Sequence, residues 1–272
     1  MDEFALINAY FRSLSQRLGG APCDLGIGDD CALVSVPPGK QLAVTTDTLI
    51  EGVHFPRDTD PADIGYKALA VNLSDLAAMG AAPAWFTLCL TLPVCSSEWL
   101  ERFCQGMGEL MQQRPVALIG GDTTRGALSL SIQAMGLVDQ GRALLRIGAR
   151  PDDDIYVSGV IGEAGIGLQI VQQQLPVTDR AMQVAVQHLN RPQPRIVLGQ
   201  ALVGLATACI DVSDGLLADL GHILERSGVG ARIDPERVPV AVALHNDVLL
   251  KQLGWQDGCS PSRAVICPDS GR

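Results

Sequence analysis

The stretch Gly26-Ile27-Gly28-Asp29-Asp30-Cys31-Ala32 sets two adjacent carboxylates directly after two glycines at alternate positions. Glycines at this spacing allow positive φ and let the backbone approach a ligand closely. Few side chains surround the two negative charges, so water or a cation must compensate them. By itself the stretch is as typical of a solvated surface turn as of a binding loop. Aspartates in similar settings elsewhere in the chain decide between these interpretations.

Six aspartates lie in loops or at the ends of predicted elements, most of them beside Gly, Ser or Thr: Asp30, Asp47, Asp75, Asp122, Asp211 and Asp214. Two like charges about 4 Å apart repel by roughly 1 kcal/mol in water and about 4 kcal/mol at an effective dielectric of 20. Such carboxylates converge only if cations neutralise them, and Mg²⁺ takes its oxygen ligands from a few carboxylates, water and phosphates. The pattern therefore indicates metal-assisted phosphate chemistry. The alternative is that each Asp forms a turn or a helix cap, as Asp122 and Asp214 would do well.

Length and composition favour two domains of ordinary size. The chain has 272 residues and 47% of them are hydrophobic, which is enough to bury a large core. The segment GARPDDD, residues 148–154, is rich in glycine, proline and acid, as interdomain segments are. We therefore expect domains at residues 1–148 and 149–272.

Charge and cysteine content narrow the class of partner. A net charge of −10 makes an electrostatic grip on nucleic acid unfavourable and means that an anionic ligand needs metal cations to bridge it. The eight cysteines are scattered without a C-x-x-C pair, as is typical of free thiols in a reducing cytoplasm. The uncharged stretch 76–97 is interrupted by Gly80, Pro83 and Pro93, so we expect no membrane span, no export signal and a cytoplasmic protein.

Hydrophobic periodicity predicts an α/β (α+β) fold. The first domain is predicted to hold helices over 4–18, 61–79 and 97–113 and four strands over 41–47, 84–92, 116–119 and 128–138. The second is predicted to hold strands over 155–158 and 209–211, an apolar helix after the glycine-rich segment 159–167, and helices over 179–190, 194–207 and 216–227. Neither a G-x-G-x-x-G dinucleotide motif nor a P-loop is present.

Three further side chains have both a functional and an ordinary interpretation. Asp75 sits in a helix rich in Ala and Leu, where burial requires Lys67, an arginine or a metal as its partner. His54 is either a polar contact in a substrate pocket or a packed histidine beside Phe55. Arg125 and Arg146 would each hold phosphate through a bidentate fork, or lie exposed on a loop.

Five stretches in the same order closely resemble the thiamine-monophosphate kinase family: GIGDDCA (26–32), TTDTL (45–49), YKALAVNLSDLAAMG (66–80), GGDTTRG (120–126) and DVSDGL (211–216). The resemblance runs from about residue 4 to about residue 245. It implies a fold similar to that of aminoimidazole ribonucleotide synthetase and selenophosphate synthetase. In such a fold the four-stranded sheet of the N-terminal domain pairs across a homodimer, and an α/β C-terminal domain follows.

By this resemblance the reaction moves the γ-phosphoryl group of ATP onto thiamine monophosphate, with several Mg²⁺ ions. The implied metal ligands are Asp30, Thr45, Thr46, Asp47, Asp75, Asp122, Asp211 and Asp214. The implied ATP contacts are Gly121, Arg146 and Ser213, and His54 is the implied contact to thiamine phosphate. The acceptor phosphate is largely ionised at pH 7, since its second pKa is about 6, so no catalytic general base is expected.

The C-terminal stretch departs from the family. Members usually continue with a Gly-Gly-acidic-Asp-Tyr-Glu-Leu motif, whereas residues 254–263 read GWQDGCSPSR. We therefore expect a C-terminal domain that is truncated relative to the family, and a shifted reading frame is one hypothesis for it. Two alternatives to a working kinase stay open: an ATP-using synthetase of the same fold, and a catalytically impaired protein that still binds ATP and Mg²⁺.

Overall fold

The computed structural model describes residues 6–18, 20–177 and 180–241. Their elements, in chain order, are a π-helical segment Ile7–Arg12, α1 Ser13–Leu18, β1 Lys40–Ile50, α2 Pro61–Ala78, β2 Ala82–Leu92, α3 Ser97–Gln113, β3 Ala117–Arg125, β4 Ser129–Asp139, α4 Glu163–Val171, α5 Arg180–Asn190, α6 Ile196–Leu202, α7 Leu216–Ser227 and a 3₁₀ helix Pro235–Arg237. Every predicted strand of the first domain is confirmed, although β3 extends beyond residue 119 into the stretch GGDTTR.

The chain forms two compact units. The first unit ends at Ala143 and takes in Asn190–Leu205, while the second takes in Leu144–Leu189 and the described residues from Ala206 onward. The first unit therefore includes a segment that is distant in sequence. The predicted division at residue 148 stays a prediction.

A four-stranded sheet with the order β1-β4-β2-β3 forms the centre of the first unit. β4 pairs antiparallel with both β1 and β2, and β2 pairs parallel with β3. The two edges of the sheet are thus β1 and β3. An added Cβ at Gly121, in β3, would lie 1.9 Å from the carbonyl oxygen of Leu88, so the close approach of β2 and β3 requires glycine there.

Helices α2 and α3 cover one face of the sheet, which we call the inner face. The core between them contains the fully buried side chains of Phe86 from β2, Leu69 from α2 and Phe103 from α3. An added Cβ at Gly106 would lie 1.8 Å from the carbonyl oxygen of Ala62, so the two helices pack at backbone distance only because a side chain is missing. This helical layer is why positions on β1 that face α2 are shielded from water.

The opposite, outer face of the sheet is covered at one end only. There Trp85 and Met135 pack beneath the loop 21–34, and the indole nitrogen of Trp85 donates to the carbonyl of Pro22 at 3.1 Å. Toward the other end the face is polar, and the hydroxyls of Thr48 and Ser131 lie 2.7 Å apart. Much of the outer face is therefore exposed in a single chain.

Helices and irregular segments make up the described part of the second unit. Ile166, Met182 and Ala185 form its small core on α4 and α5. The helices predicted after residue 158 are confirmed, although α6, which belongs to the first unit, is shorter than the predicted 194–207. The strands predicted over 155–158 and 209–211 are wrong, since neither segment is a strand; Tyr156 is 86% exposed and thus lacks the packing that would stabilise one.

No helix within the described ranges is long and apolar enough to cross a membrane. Of the predicted N-terminal helix, residues 4 and 5 lie outside the described residues. Residues 7–18 form the π-helical segment and α1, which bury Phe11 and Leu14.

Candidate functional site

Strand β1 and helix α2 bring Asp47 and Asp75 together at the inner face. Burial alternates along β1, so Thr45, Asp47 and the buried Leu49 share the side that faces α2. Near the C-terminal end of α2, the Asp75 carboxylate accepts a hydrogen bond from the hydroxyl of Thr45. We call Asp47 and Asp75, with the Thr45 hydroxyl, the inner-face carboxylate pair.

Electrostatics show that the two carboxylates act on each other. Burial first, and then repulsion from Asp75, raise the pKa of Asp47, while the nearby His54 lowers it in part. The surroundings of Asp47 therefore disfavour the ionised form of its carboxyl group. A cation at this position would relieve both causes.

Asn72 fixes the backbone of β1 beside this pair. Its side chain is fully buried in α2, and its Oδ1 accepts the backbone N–H of Asp47 at 3.1 Å. Its Nδ2 donates to the carbonyl of Ala68 at 3.0 Å, which settles the orientation of the amide. Asp47 is thus held in position by a neutral group that adds no further negative charge.

His54 and Lys67 border the same region. The Nδ1 atom of His54 accepts the backbone N–H of Ile50 at 3.0 Å, so in the neutral ring the proton resides on Nε2. The ammonium group of Lys67 donates to the carbonyl of His54 at 3.1 Å, and burial lowers its pKa. Of the three partners considered for Asp75, Lys67 is excluded by these contacts. The Thr45 hydroxyl donates to Asp75, and Lys67 instead holds the loop that carries His54.

The donor set suits a hard cation only in part. Within the described ranges, no group of three or more His, Cys, Asp or Glu side chains is close enough to hold a metal ion. Mg²⁺, however, is usually bound by one or two carboxylates, with waters and substrate phosphates as its other ligands. The pair of Asp47 and Asp75, with the pKa of Asp47 raised, fits that smaller requirement.

Three predicted ligands of the first unit lie away from this pair. Thr46 adjoins Asp47 and so faces outward, where the Gln133 amide lies 3.4 Å from its hydroxyl. Asp122 lies opposite Cys89, which in turn pairs with Ser131, and directly opposite residues share a face of the sheet. Asp122 therefore belongs to the outer face.

Asp30 is exposed in the loop that covers the end of the outer face. The neighbouring Asp29 side chain accepts the backbone N–H of Asp30 at 2.9 Å, as in an ordinary turn. In this stretch the two aspartates thus differ, since Asp29 stabilises the turn and Asp30 projects from it. Gly121, an expected ATP contact, has the structural role at β2 described above.

The other predicted residues belong to the second unit. The segment that begins at Arg146 is fixed by Ser227 at the end of α7, whose hydroxyl accepts the backbone N–H groups of Gly148 and Ala149 at 3.1 and 3.2 Å. The segment 211–215 precedes α7 and contains the predicted Asp211, Ser213 and Asp214. Gly215, rather than Asp214, is the residue that caps the helix.

Asp219 holds this second segment. The carboxylate is buried, and one of its oxygens accepts the backbone N–H groups of Ser213, Asp214 and Gly215 at 2.9, 3.1 and 3.2 Å. Sequence reasoning missed the roles of both Asn72 and Asp219. The signal was available, because each is a polar residue at a position of its helix where the pattern predicts burial.

Two family domains match most of this chain. Residues 28–138 match the family described as AIR synthase related protein, N-terminal domain, and residues 150–267 match the corresponding C-terminal domain. Thiamine-monophosphate kinase of Escherichia coli is 53% identical over 257 residues, covering 93% of this chain and 78% of that protein.

Solved structures give the same result. The crystal structure of thiamine-monophosphate kinase from Stenotrophomonas maltophilia is similar with a TM-score of 0.80 and 50% identity, covering 90% of this chain and 78% of that one. The structure of AaThiL complexed with AMPPCP and TMP has a TM-score of 0.74 and 32% identity, covering 93% and 79%.

Proposed function

The chain belongs to the thiamine-monophosphate kinase family, and from that premise we propose that it transfers the γ-phosphoryl group of ATP to the phosphate of thiamine monophosphate. The products are ADP and thiamine diphosphate. The structural observation that supports this most directly is the inner-face carboxylate pair, since two facing carboxylates suit a cation that accompanies phosphates. The 53% sequence identity to a thiamine-monophosphate kinase favours this reaction over that of a synthetase of the same fold.

The chemistry requires positioning and charge compensation more than proton transfer. A phosphate monoester acceptor is largely ionised at pH 7, because its second pKa is about 6, so its oxygen attacks without a general base. What opposes the reaction is the repulsion between two polyanions. The chain's task is to orient them in line and to offset that repulsion.

We propose that Mg²⁺ is the cofactor and that Asp47 and Asp75 hold it. Bound there, the cation would supply positive charge that offsets the negative charge of the phosphates. The Thr45 hydroxyl orients the Asp75 carboxylate toward this role. Asp30, Thr46, Asp122, Asp211 and Asp214 remain proposed ligands of further ions, carried over by resemblance alone.

We propose that His54 contacts the substrate phosphate. Since its Nδ1 accepts the Ile50 amide, Nε2 is the ring atom that donates. Lys67 holds the loop of His54 and places a positive charge near it. Gly121, Arg146 and Ser213 are the proposed contacts to ATP.

The test is an ADP-release assay coupled to a second enzyme, with thiamine as the matched control because it lacks the acceptor phosphate. We expect ADP release that depends on thiamine monophosphate and on Mg²⁺, is lost with EDTA and returns when Mg²⁺ is added back. ADP release with thiamine, or none with either compound, would contradict the proposed reaction. Binding of an ATP analogue without turnover would instead support the impaired protein considered above.

We also propose a homodimer formed through the sheet of the first unit. Its support is the exposed outer face and the edge strand β1, where Val44 is 52% exposed. The substitution Val44→Glu is expected to shift the protein toward monomer in sedimentation velocity. Val94→Glu, at a loop valine that is 71% exposed, is the matched control and should leave the assembly unchanged. An unchanged dimer in Val44→Glu would exclude this interface.

We propose a cytoplasmic location as well. All six cysteines within the described ranges carry free thiols, as is typical of proteins in a reducing compartment.

A further inference from the structure

Asp219 is a buried carboxylate with an unusual set of partners. It lies in the first turn of α7 and only 4% of it is exposed. A single oxygen, Oδ2, accepts the N–H groups of the three consecutive residues Ser213, Asp214 and Gly215. Hydrogen bonds to a charged acceptor are roughly twice as strong as neutral ones, so this carboxylate fixes the backbone of the whole turn.

These three N–H groups lie immediately before α7, where an anion is commonly bound. Backbone amides of a turn that leads into a helix can bind phosphate, because they point at the ligand and the helix dipole favours an anion. Here the Asp219 carboxylate, from the helix itself, occupies the amides of the turn that precedes α7. The turn therefore offers a ligand its side chains, the Ser213 hydroxyl and the Asp214 carboxylate, rather than these three amides.

We propose that Asp219 is a positioning residue for nucleotide binding: by occupying the three amides it sets the turn that presents Ser213 and Asp214 to ATP and its cation. This rests on the proposed function, in which those two residues contact ATP and a metal. Asp219 itself does not touch the substrate. It acts as outer-shell partners of ligating groups do, and loss of such partners typically costs about 10- to 100-fold in affinity or activity.

Two substitutions separate positioning from folding. Asp219→Ala removes the acceptor, so KM for ATP should rise by about 10- to 100-fold while KM for thiamine monophosphate stays unchanged. Asp219→Asn keeps an oxygen that accepts the same N–H groups, so it should restore KM for ATP to within about tenfold of the wild type. Asp234→Ala is the matched control, because Asp234 also accepts a backbone N–H, that of Glu236, but caps the short 3₁₀ helix instead.

A purely structural role predicts a different pattern. Variants that only lose folded protein would show lower kcat at unchanged KM for ATP, and that result would overturn the proposal. Amide hydrogen exchange gives a readout that needs no turnover. Exchange at residues 213–215 should accelerate in Asp219→Ala and not in Asp234→Ala, and equal protection in all three proteins would overturn the proposal.

The outcomes also distinguish this inference from the function on which it rests. If the wild-type chain releases no ADP, the proposed function fails, and the inference is decided by calorimetric titration with a non-hydrolysable ATP analogue and Mg²⁺. Weaker binding in Asp219→Ala, with rescue in Asp219→Asn, would then support it. Equal binding in all variants, or no binding to the wild type, would overturn it.

Discussion

The described residues include two buried polar side chains, Asn72 in the first unit and Asp219 in the second. Both accept hydrogen bonds from backbone N–H groups, but one is neutral and the other is a carboxylate. Each uses a side-chain oxygen to hold backbone N–H groups of a segment that carries predicted site residues. Asn72 is neutral and accepts one N–H, that of Asp47. Asp219 is a carboxylate and accepts three.

The surroundings explain why residue 72 is a neutral amide and residue 219 a carboxylate. Asn72 lies beside Asp47 and Asp75, where a third negative charge would add to a repulsion that already raises the pKa of Asp47. Asp219 lies at the start of α7, where three N–H groups and the helix dipole compensate a negative charge. The first region thus keeps two carboxylates that repel each other, whereas the second compensates its buried carboxylate with its own N–H groups.

The largest effect is expected from the substitution Asn72→Asp. The introduced carboxyl keeps an acceptor for the Asp47 amide but adds an uncompensated buried charge, which should cost about 3–5 kcal/mol of stability at pH 7. Its pKa would be raised in the folded state, so the loss should shrink as the pH falls toward the ordinary carboxyl value of 3.8. Urea unfolding at several pH values measures this.

The control for that experiment is Asn72→Ala, which removes the same acceptor without adding charge. We expect it to cost about 1–3 kcal/mol, because the Asp47 N–H is left without its partner. That loss should be independent of pH. If Asn72→Asp were as stable as the wild type at pH 7, the charge argument for this position would be wrong.

Asp75→Asn tests whether the first region works through its charge. We expect kcat to fall by about 100-fold or more, as is typical when a group that stabilises transition-state charge is removed. The coupled ADP assay measures it, and Asp58→Asn, at an exposed loop position, is the matched control. A rate like that of the wild type in Asp75→Asn would refute the metal assignment.

A smaller effect concerns stability and pH in the same region. The pKa of Asp47 is raised, so between the ordinary value near 3.8 and its raised value the folded state binds more protons than the unfolded state, and stability falls as the pH rises through that window. Asp75→Asn removes one cause. It should therefore gain stability relative to the wild type at neutral pH, and this advantage should diminish in acid. Denaturant midpoints across the window measure the difference, and a constant difference would contradict the coupling.

The smallest expected effect lies in the second unit. Ser227→Ala removes the acceptor for the amides of Gly148 and Ala149, but these groups are partly exposed and water can replace it. We expect a loss of about 0.5 kcal/mol, at the low end for one hydrogen bond, with a modest rise in KM for ATP through Arg146. Thermal unfolding and steady-state kinetics measure both. A loss as large as that of Asn72→Ala would show that this contact is not solvent-replaceable.

How far the fold follows from sequence depends on the length of each periodic pattern. The alternation over 84–92 and 128–138 and the helical pattern over 61–79 predicted β2, β4 and α2 within a few residues. The short apolar segments at 155–158 and 209–211 gave wrong strands. A segment of three or four residues becomes a strand only if a partner lies beside it, and no local pattern carries that information.

The candidate site shows the same limit. The sequence singled out Asp47 and Asp75 as chemically interesting, and the fold brings them together. The alternation along β1 predicts that Thr46 and Asp47 face opposite sides of the sheet. The sequence could not show that α2 covers the side of Asp47, nor that the strand register places Asp122 on the opposite face. It also gave no partner for Asn72 or Asp219, because the N–H groups that they hold become neighbours only in the folded chain.

The return of Asn190–Leu205 to the first unit has a consequence for biosynthesis. Ile196 is buried in the first core, Gly199 packs against the carbonyl of Ala77, and Arg191 forms ion pairs with Asp63 and Glu109. The ribosome must therefore synthesise α4 and α5 before the segment Asn190–Leu205 can pack onto the first unit. Until then α2 emerges with part of its surface uncovered, so the first unit completes its packing only after part of the second unit has been synthesised.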